Sequence, residues 1–402
     1  MIRQSAKLAD VCYDIRGPVL VRAKELEAQG AEILKLNIGN PGAFGFEAPQ
    51  EVIDAVIANL PRASGYSDSK GIPVAREAVA RHYNGVGLAD VGVEDVYLGN
   101  GVSELIQLAL QALVDVGDEV LIPSPDYPLW TAAVSLTGAK PVHYRCDEST
   151  GWQPDVDDIR AKVSDRTRAI VVINPNNPTG AVYSPEVLRQ LAQIATDHQL
   201  VLMADDIYGR ILYDDAQHTS IAVLAPEVLT LTFSGLSKAY LVAGYRAGWM
   251  VLSGNKADAR EYIEGLDILT NMRLCANHPA QHAVAAALEG PQSIKAMTLP
   301  TGRLGEQRDR SLAALAKIPG VTCTKPAGAL YLFPRLDPDV YPVKDDQRLV
   351  LDLLEQQHLL LVQGTGFNLP TTDHLRIVTL PAADQLEDAI GRLGAFLGDF
   401  AG

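Results

Sequence analysis

The 402-residue sequence predicts an α/β fold, and two observations carry that prediction. Short apolar runs of strand length alternate with amphipathic helical stretches from Asp95 onward. Strand after strand stops at a cluster of polar residues, as the carboxyl edge of an open, mostly parallel sheet does. Composition agrees: hydrophobic residues make up 47% of the chain and aromatics only 6%, the balance of Ala-, Val- and Leu-rich buried strands under helices. The length exceeds what one core usually supports, so one large domain and one smaller one are expected.

The elements follow in order. Pro18 stands at the start of a helix whose Val19, Leu20, Ala23 and Leu26 form an apolar stripe, and residues 33–41 (ILKLNIGNP) read as a short strand entering a glycine turn at Gly39. Pro49 to Leu60 reads as a helix. The stretch 65–73 (GYSDSKGIP) is a hydroxyl-rich, glycine-bounded loop. Strands are expected at 96–98, 119–123, 169–173 and 200–204. Each feeds a loop with chemistry in it: Gly99-Asn100-Gly101 before a helix beginning at Val102, Tyr127 in a proline-stiffened loop, Asn174-Pro-Asn-Asn177-Pro-Thr-Gly180, and Asp205-Asp206-Ile-Tyr208. Ser184 is placed to cap a helix with Pro185 at its first position. From about Ala283 helices mix with short strands at 327–333, 359–362 and 374–380, an α+β pattern.

A run from Leu229 to Leu252 organises the rest. An apolar strand ends at Phe233, a Ser/Gly turn presents Lys238, Arg246 follows eight residues on, and a second apolar strand closes at Trp249–Leu252. A lysine between two buried strands suits a nucleophile that condenses with carbonyls better than a solubilising charge. The Gly99–Gly101 turn at a helix N-terminus suits a phosphate, because unpaired N–H groups and the helix dipole both face the anion.

Charge and cysteine usage exclude other classes. A formal net charge of -15 opposes nucleic acid and anionic membrane as partners, while leaving room for a small anion at a locally basic site. Cys12, Cys146, Cys275 and Cys323 are scattered without metal-ligand spacing, which reads as free thiols in a reducing compartment and no metal site. Residues 1–13 lack a signal-type apolar core and no run reaches membrane-span length, so a cytoplasmic protein is expected.

The ordered series of phosphate-type turn, loop tyrosine, Asn-Pro-Thr-Gly, Asp-x-x-Tyr and Ser-Lys with a later Arg resembles the class I/II aminotransferases over essentially the whole chain. Within that family, residues 11–18 (VCYDIRGP), 37–41 (NIGNP), 100–104 (NGVSE) and 239–246 (AYLVAGYR) are most similar to bacterial glutamate–pyruvate (alanine) aminotransferases. The resemblance implies fold type I, with a mostly parallel seven-stranded sheet, and pyridoxal 5′-phosphate as cofactor. It also implies ping-pong exchange of an amino group between L-alanine/pyruvate and L-glutamate/2-oxoglutarate. Lys238 would hold the cofactor covalently and act as the base at the substrate α-carbon. Asp205 would pair with the ring nitrogen, Tyr208 and Asn177 with the ring hydroxyl, and Tyr127 would stack on the ring. Gly101, Val102, Ser103, Ser234, Ser237 and Arg246 would take the phosphate, the Ser-x-x-Ser spacing leaving open which serine does so. Gly39, Asn177 and Arg376 would hold the substrate α-carboxylate. Tyr13 and Arg16 would meet its side chain, with Arg273 as an alternative for a distal carboxylate. A homodimer is implied in which Tyr66 reaches the partner's cofactor. The division expected is an arm and part of the small domain at 1–45, a large domain at 46–290 and a small domain at 291–402. The competing readings are an aspartate or broad-specificity aminotransferase, more remotely a β-lyase, and a non-catalytic regulator built on the same fold.

Overall fold

A computed structural model describes residues 2–8, 11, 17–88 and 90–399. Its centre is a sheet of eight strands: β1 (Val96–Gly99), β2 (Glu119–Ser124), β3 (Lys140–Asp147), β4 (Gln153–Pro154), β5 (Thr167–Ile173), β6 (Val201–Asp205), β7 (Thr230–Gly235) and β8 (Gly248–Ser253). Their spatial order is β1-β8-β7-β6-β5-β2-β3-β4. Strands β7, β6, β5, β2 and β3 run parallel. The two exceptions are β8, antiparallel to both β7 and β1, and β4, antiparallel to β3; β1 therefore shares the direction of β7.

Seven strands were expected and eight are present. The addition is β4, a two-residue edge strand pairing Pro154 with Cys146 and Gln153 with Asp147, too short to leave any alternation in sequence. Its neighbour β3 also escaped strand-by-strand reading, because near the edge its Lys140 and Arg145 face solvent and interrupt the apolar run.

Helices cover both faces by the period-two rule. Ala169, Val171 and Ile173 of β5 face Ile106 and Leu110 of helix Val102–Leu113, while Ile170 and Val172 face Leu188 and Leu191 of helix Pro185–Asp197. The second helix begins as its sequence predicts, with Pro185 at the first position and Ser184 Oγ accepting from Val187 N at 3.2 Å. Such a cap stabilises by about 1 kcal/mol.

A second core gathers Val19 and Leu36 with Leu353, Leu360, Ile377 and Leu393, joining helix Pro18–Ala28 to helices Asp346–Gln357 and Ala383–Gly398. Strand Leu34–Lys35 runs parallel to Leu359–Leu360, and Leu375–Val378 lies antiparallel between Tyr331–Leu332 and Val362–Gln363. These strands are shorter than the apolar runs that contain them. Ala329 turns through a left-handed φ of 61°, which ends extended backbone just before Tyr331, and the 359–362 run divides at Leu361. Among the described residues no helix is long and apolar enough to cross a membrane.

Candidate active site

A cleft of about 570 Å³ lies beyond the carboxyl ends of β5 and β6 and is closed from the other side by Asn37–Asn40, Tyr331 and Arg376. Lys238 lies in its wall, in the connection between β7 and β8. Its Nζ donates to the Gly39 carbonyl at 2.7 Å and sits 5.8 Å from the centroid of the Tyr208 ring. Gly39 earns its identity by close approach: a Cβ there would lie 2.7 Å from the Tyr331 hydroxyl and 3.5 Å from Lys238 Nζ.

Asp205, the last residue of β6, is only 3% exposed. Trp130 Nε1 donates to its Oδ2 at 3.0 Å and Ile207 N to its Oδ1 at 3.3 Å. Burial raises its pKa to about 6, against the opposing effect of the Trp130 hydrogen bond. Asp206 points the other way, as alternation requires, and its Oδ1 lies 3.4 Å from His218 Nε2 outside the cleft. Tyr208 is buried and shares a hydrogen bond between hydroxyls with Tyr331; burial first, and that neighbour second, hold its phenol well above the ordinary range.

At the far end, Arg376 is 2% exposed on strand Leu375–Val378. Nη1 donates to Asn177 Oδ1 at 3.1 Å and Nη2 to the Asn37 carbonyl. The guanidinium carbon lies 4.5 Å and 4.6 Å from the ring centroids of Tyr331 and Phe367, so stacking fixes its plane. Tyr127 lines the adjoining wall.

The opposite end is built on Gly101, which has a φ of +83° and starts helix Val102–Leu113. A Cβ at Gly101 would fall 2.3 Å from Arg246 Nη2, and one at Gly248 would fall 2.7 Å from Val102 N, so only glycine lets these segments meet. Arg246 donates through Nη2 to Asn100 O at 3.1 Å and through Nη1 to Ala243 O at 3.0 Å. Val102, Ser103 and Ser237 line the cleft here; Ser234, inside β7, does not.

Two further residues named from sequence do not line this cleft, and two more are not described. Arg273 does not line this cleft: it pairs with Glu104 and donates to Ser69 O at 2.8 Å. Tyr66 is 82% exposed and outside this cleft. Tyr13 and Arg16 lie outside the described residues. Conversely, Trp130 and Tyr331 touch the central groups although no role was read for either. Trp130 follows Tyr127 by three residues, one helical turn, and that spacing was the available signal.

Comparison with known proteins agrees with this geometry. The profile of the family described as aminotransferase class I and II matches residues 31–393. The chain belongs to that family. Over 399 residues, covering 99% of this chain and 98% of the relative, it is 60% identical to the glutamate-pyruvate aminotransferase AlaA of Escherichia coli (strain K12). It is 62% identical over 395 residues to the alanine aminotransferase of Mycobacterium tuberculosis (strain H37Rv), covering 98% of this chain and 92% of the relative. The crystal structure of an aminotransferase from Escherichia coli superposes with a TM-score of 0.99 at 59% identity, covering 100% of both chains.

Enzymes of this family use pyridoxal 5′-phosphate, and the residues present fit it. The cleft offers an amine in its wall and a guanidinium beside a helix N-terminus for a phosphate. It also holds a buried carboxylate whose two oxygens each keep a lone pair for a protonated ring nitrogen.

Proposed function

We propose that this protein is a pyridoxal-phosphate-dependent alanine transaminase, exchanging an amino group between L-alanine/pyruvate and L-glutamate/2-oxoglutarate in two half-reactions of a ping-pong cycle. One observation carries the site assignment: Lys238 Nζ lies in a single cleft with Asp205, with Arg246 at one end and Arg376 at the other. The identity to alanine and glutamate–pyruvate aminotransferases supports the choice of substrate.

The cofactor supplies an electron sink for the α-carbon of the amino acid. Lys238 would hold it through Nζ, and the same amine, when free, would take the α-proton of the substrate and give one back to the product. Asp205 keeps the ring nitrogen protonated, which its burial favours because an isolated carboxylate there is costly. Tyr208 and Asn177 hold the ring oxygen, and Tyr127 covers the ring face. Gly101, Val102, Ser103, Ser237 and Arg246 bind the phosphate; Ser237 is preferred to Ser234 because it lines the cleft. Arg376 grips the α-carboxylate as a bidentate fork, with Asn177 and Gly39 beside it. Tyr13 and Arg16 of the N-terminal arm are the candidates for the side-chain end.

The same reading takes the arm and part of a small domain as 1–45, the large domain as 46–290 and the small domain as 291–402, in the cytoplasm. It also takes the working form as a homodimer, Tyr66 donating to the partner's phosphate. Exposed Leu60, Tyr66, Met272 and Leu274 support this, because they flank a loop tied down by Arg273 to Ser69 O and His278 to Gly65 O. Heterodimers of two inactive subunits, Lys238→Ala and Tyr66→Phe, should regain one intact site; proven subunit exchange without recovery would remove the shared-site assignment. The substrate assignment is tested with a panel of amino donors against pyruvate and 2-oxoglutarate. Alanine and glutamate should lead, and aspartate outperforming alanine would overturn it.

A further inference from the structure

Helix Val102–Leu113 carries a carboxylate, Glu104, in the turn where the proposed phosphate site needs positive potential. A negative charge there interacts well with the bare helix dipole but repels an anion bound at the same end. Two sets of contacts explain its presence. Glu104 Oε2 accepts from Asn100 N at 2.8 Å and Oε1 from Asn100 Nδ2 at 2.8 Å. The remaining polar groups of Asn100 are engaged too: its Oδ1 accepts from Asn277 N at 2.8 Å and its backbone O from Arg246 Nη2 at 3.1 Å. Glu104 therefore fixes the residue that positions Arg246. The second contact is the ion pair with Arg273, whose side chain is 12% exposed against 22% for Glu104. The other terminal nitrogen of Arg273 donates to Ser69 O at 2.8 Å and Leu98 O at 3.3 Å, locking the guanidinium in place.

We propose that Glu104 and Arg273 are positioning residues for the phosphate end of the site. Glu104 locks Asn100 so that the 99–101 turn and Arg246 are set for the anion, and Arg273 neutralises Glu104 so that its charge does not oppose that anion. This rests on the assignment of Arg246 and the 99–103 turn to the cofactor phosphate. It also gives Arg273 a role in place of the substrate contact that its sequence position suggested.

The pair makes opposite demands on single and double variants. Apoprotein is titrated with pyridoxal 5′-phosphate and, separately, with pyridoxal, which lacks the phosphate, following the visible absorbance band. Arg273→Met should weaken pyridoxal phosphate about tenfold or more, a change of about 1.4 kcal/mol. It should leave pyridoxal within about twofold, and the gap to wild type should narrow as salt is raised. Arg273→Lys, which keeps the charge, should stay within about threefold of wild type. Adding Glu104→Gln to Arg273→Met should recover most of the loss, because the uncompensated charge is gone. Equal weakening of both ligands would assign Arg273 a merely structural role and overturn the proposal. So would an unchanged affinity, or a double variant no better than Arg273→Met alone. A wild-type protein that bound neither ligand would instead overturn the cofactor reading, and this inference with it.

Discussion

The two walls of the cleft are built differently. The sheet wall takes its groups from the ends of long buried strands: Asp205 closes β6, Asn177 and Tyr208 lie within four residues of β5 and β6, and Lys238 follows β7 by three residues. The facing wall brings Asn37, Tyr331 and Arg376 together from both ends of the chain, on strands of two to four residues or beside them. One wall is positioned by a rigid scaffold, the other by side-chain contacts. Three hydrogen bonds join them, Lys238 to Gly39 O, Tyr208 to Tyr331 and Arg376 to Asn177, so each wall orients the reactive groups of the other. A fourth connection lies behind Tyr127, where Asn368 Nδ2 donates to buried Asp126 at 2.6 Å and Asp126 N to Phe367 O at 2.9 Å.

Among changes that leave Lys238 in place, breaking the facing wall should cost most. Arg376→Lys keeps the charge but loses the planar fork and its stacking between Tyr331 and Phe367. kcat/KM for both alanine and glutamate should fall by an amount equivalent to about 1.5–3 kcal/mol, mainly through KM. A fall confined to one donor would mean that Arg376 reads the side chain rather than the α-carboxylate.

The connection behind Tyr127 predicts a pH signature. Burial raises the Asp126 pKa to about 7, whereas burial and then Lys162 lower that of His143 to about 4; Thr131 Oγ1 lies 2.8 Å from both side chains. The raised carboxyl binds more protons folded than unfolded, so its contribution to stability is lost as pH rises from about 4 to 7. The depressed histidine has the opposite sign, its contribution growing from about pH 4 to 6.5. Asp126→Asn removes only the first, so urea stability should climb more steeply with pH, by about 1.4 kcal/mol per unit within that window. Parallel profiles for wild type and variant would show that Asp126 does not titrate there.

Loosening a support behind the sheet wall, without touching Lys238 or Asp205 themselves, should cost least. Trp130→Phe keeps an aromatic ring against Phe233 but removes the donor to Asp205 Oδ2. A loss of about 1 kcal/mol in kcat/KM is expected, together with a shifted pH dependence of the bound cofactor's absorbance. An unmoved spectrum would confine Trp130 to packing.

The same contrast explains what was legible in sequence. Lys238, Asp205 and Asn177 could be read because a buried apolar run, its end and the following turn are local signals. Arg376 stood out by its apolar neighbours and by family resemblance. Trp130 and Tyr331 escaped because their partners, Asp205 and Tyr208, are 75 and 123 residues away. The choice left open for Arg273, between a substrate carboxylate and an ion pair, had the same cause, since the Glu104 that engages it is 169 residues distant. In the fold, the edge strand β4, its neighbour β3 and the turn at Ala329 were missed because pairing and backbone dihedrals there follow from tertiary contacts rather than from periodicity.

The assignment of Lys238 as the residue that carries the cofactor supports every other role. Protein loaded with pyridoxal 5′-phosphate should be yellow, and borohydride should shift its absorbance band and fix the cofactor covalently. Peptide mass spectrometry should then find the label on Lys238, and Lys238→Ala should bind cofactor loosely, take no label and lose transamination almost entirely. A label on any other lysine, or full labelling of Lys238→Ala, would contradict the account.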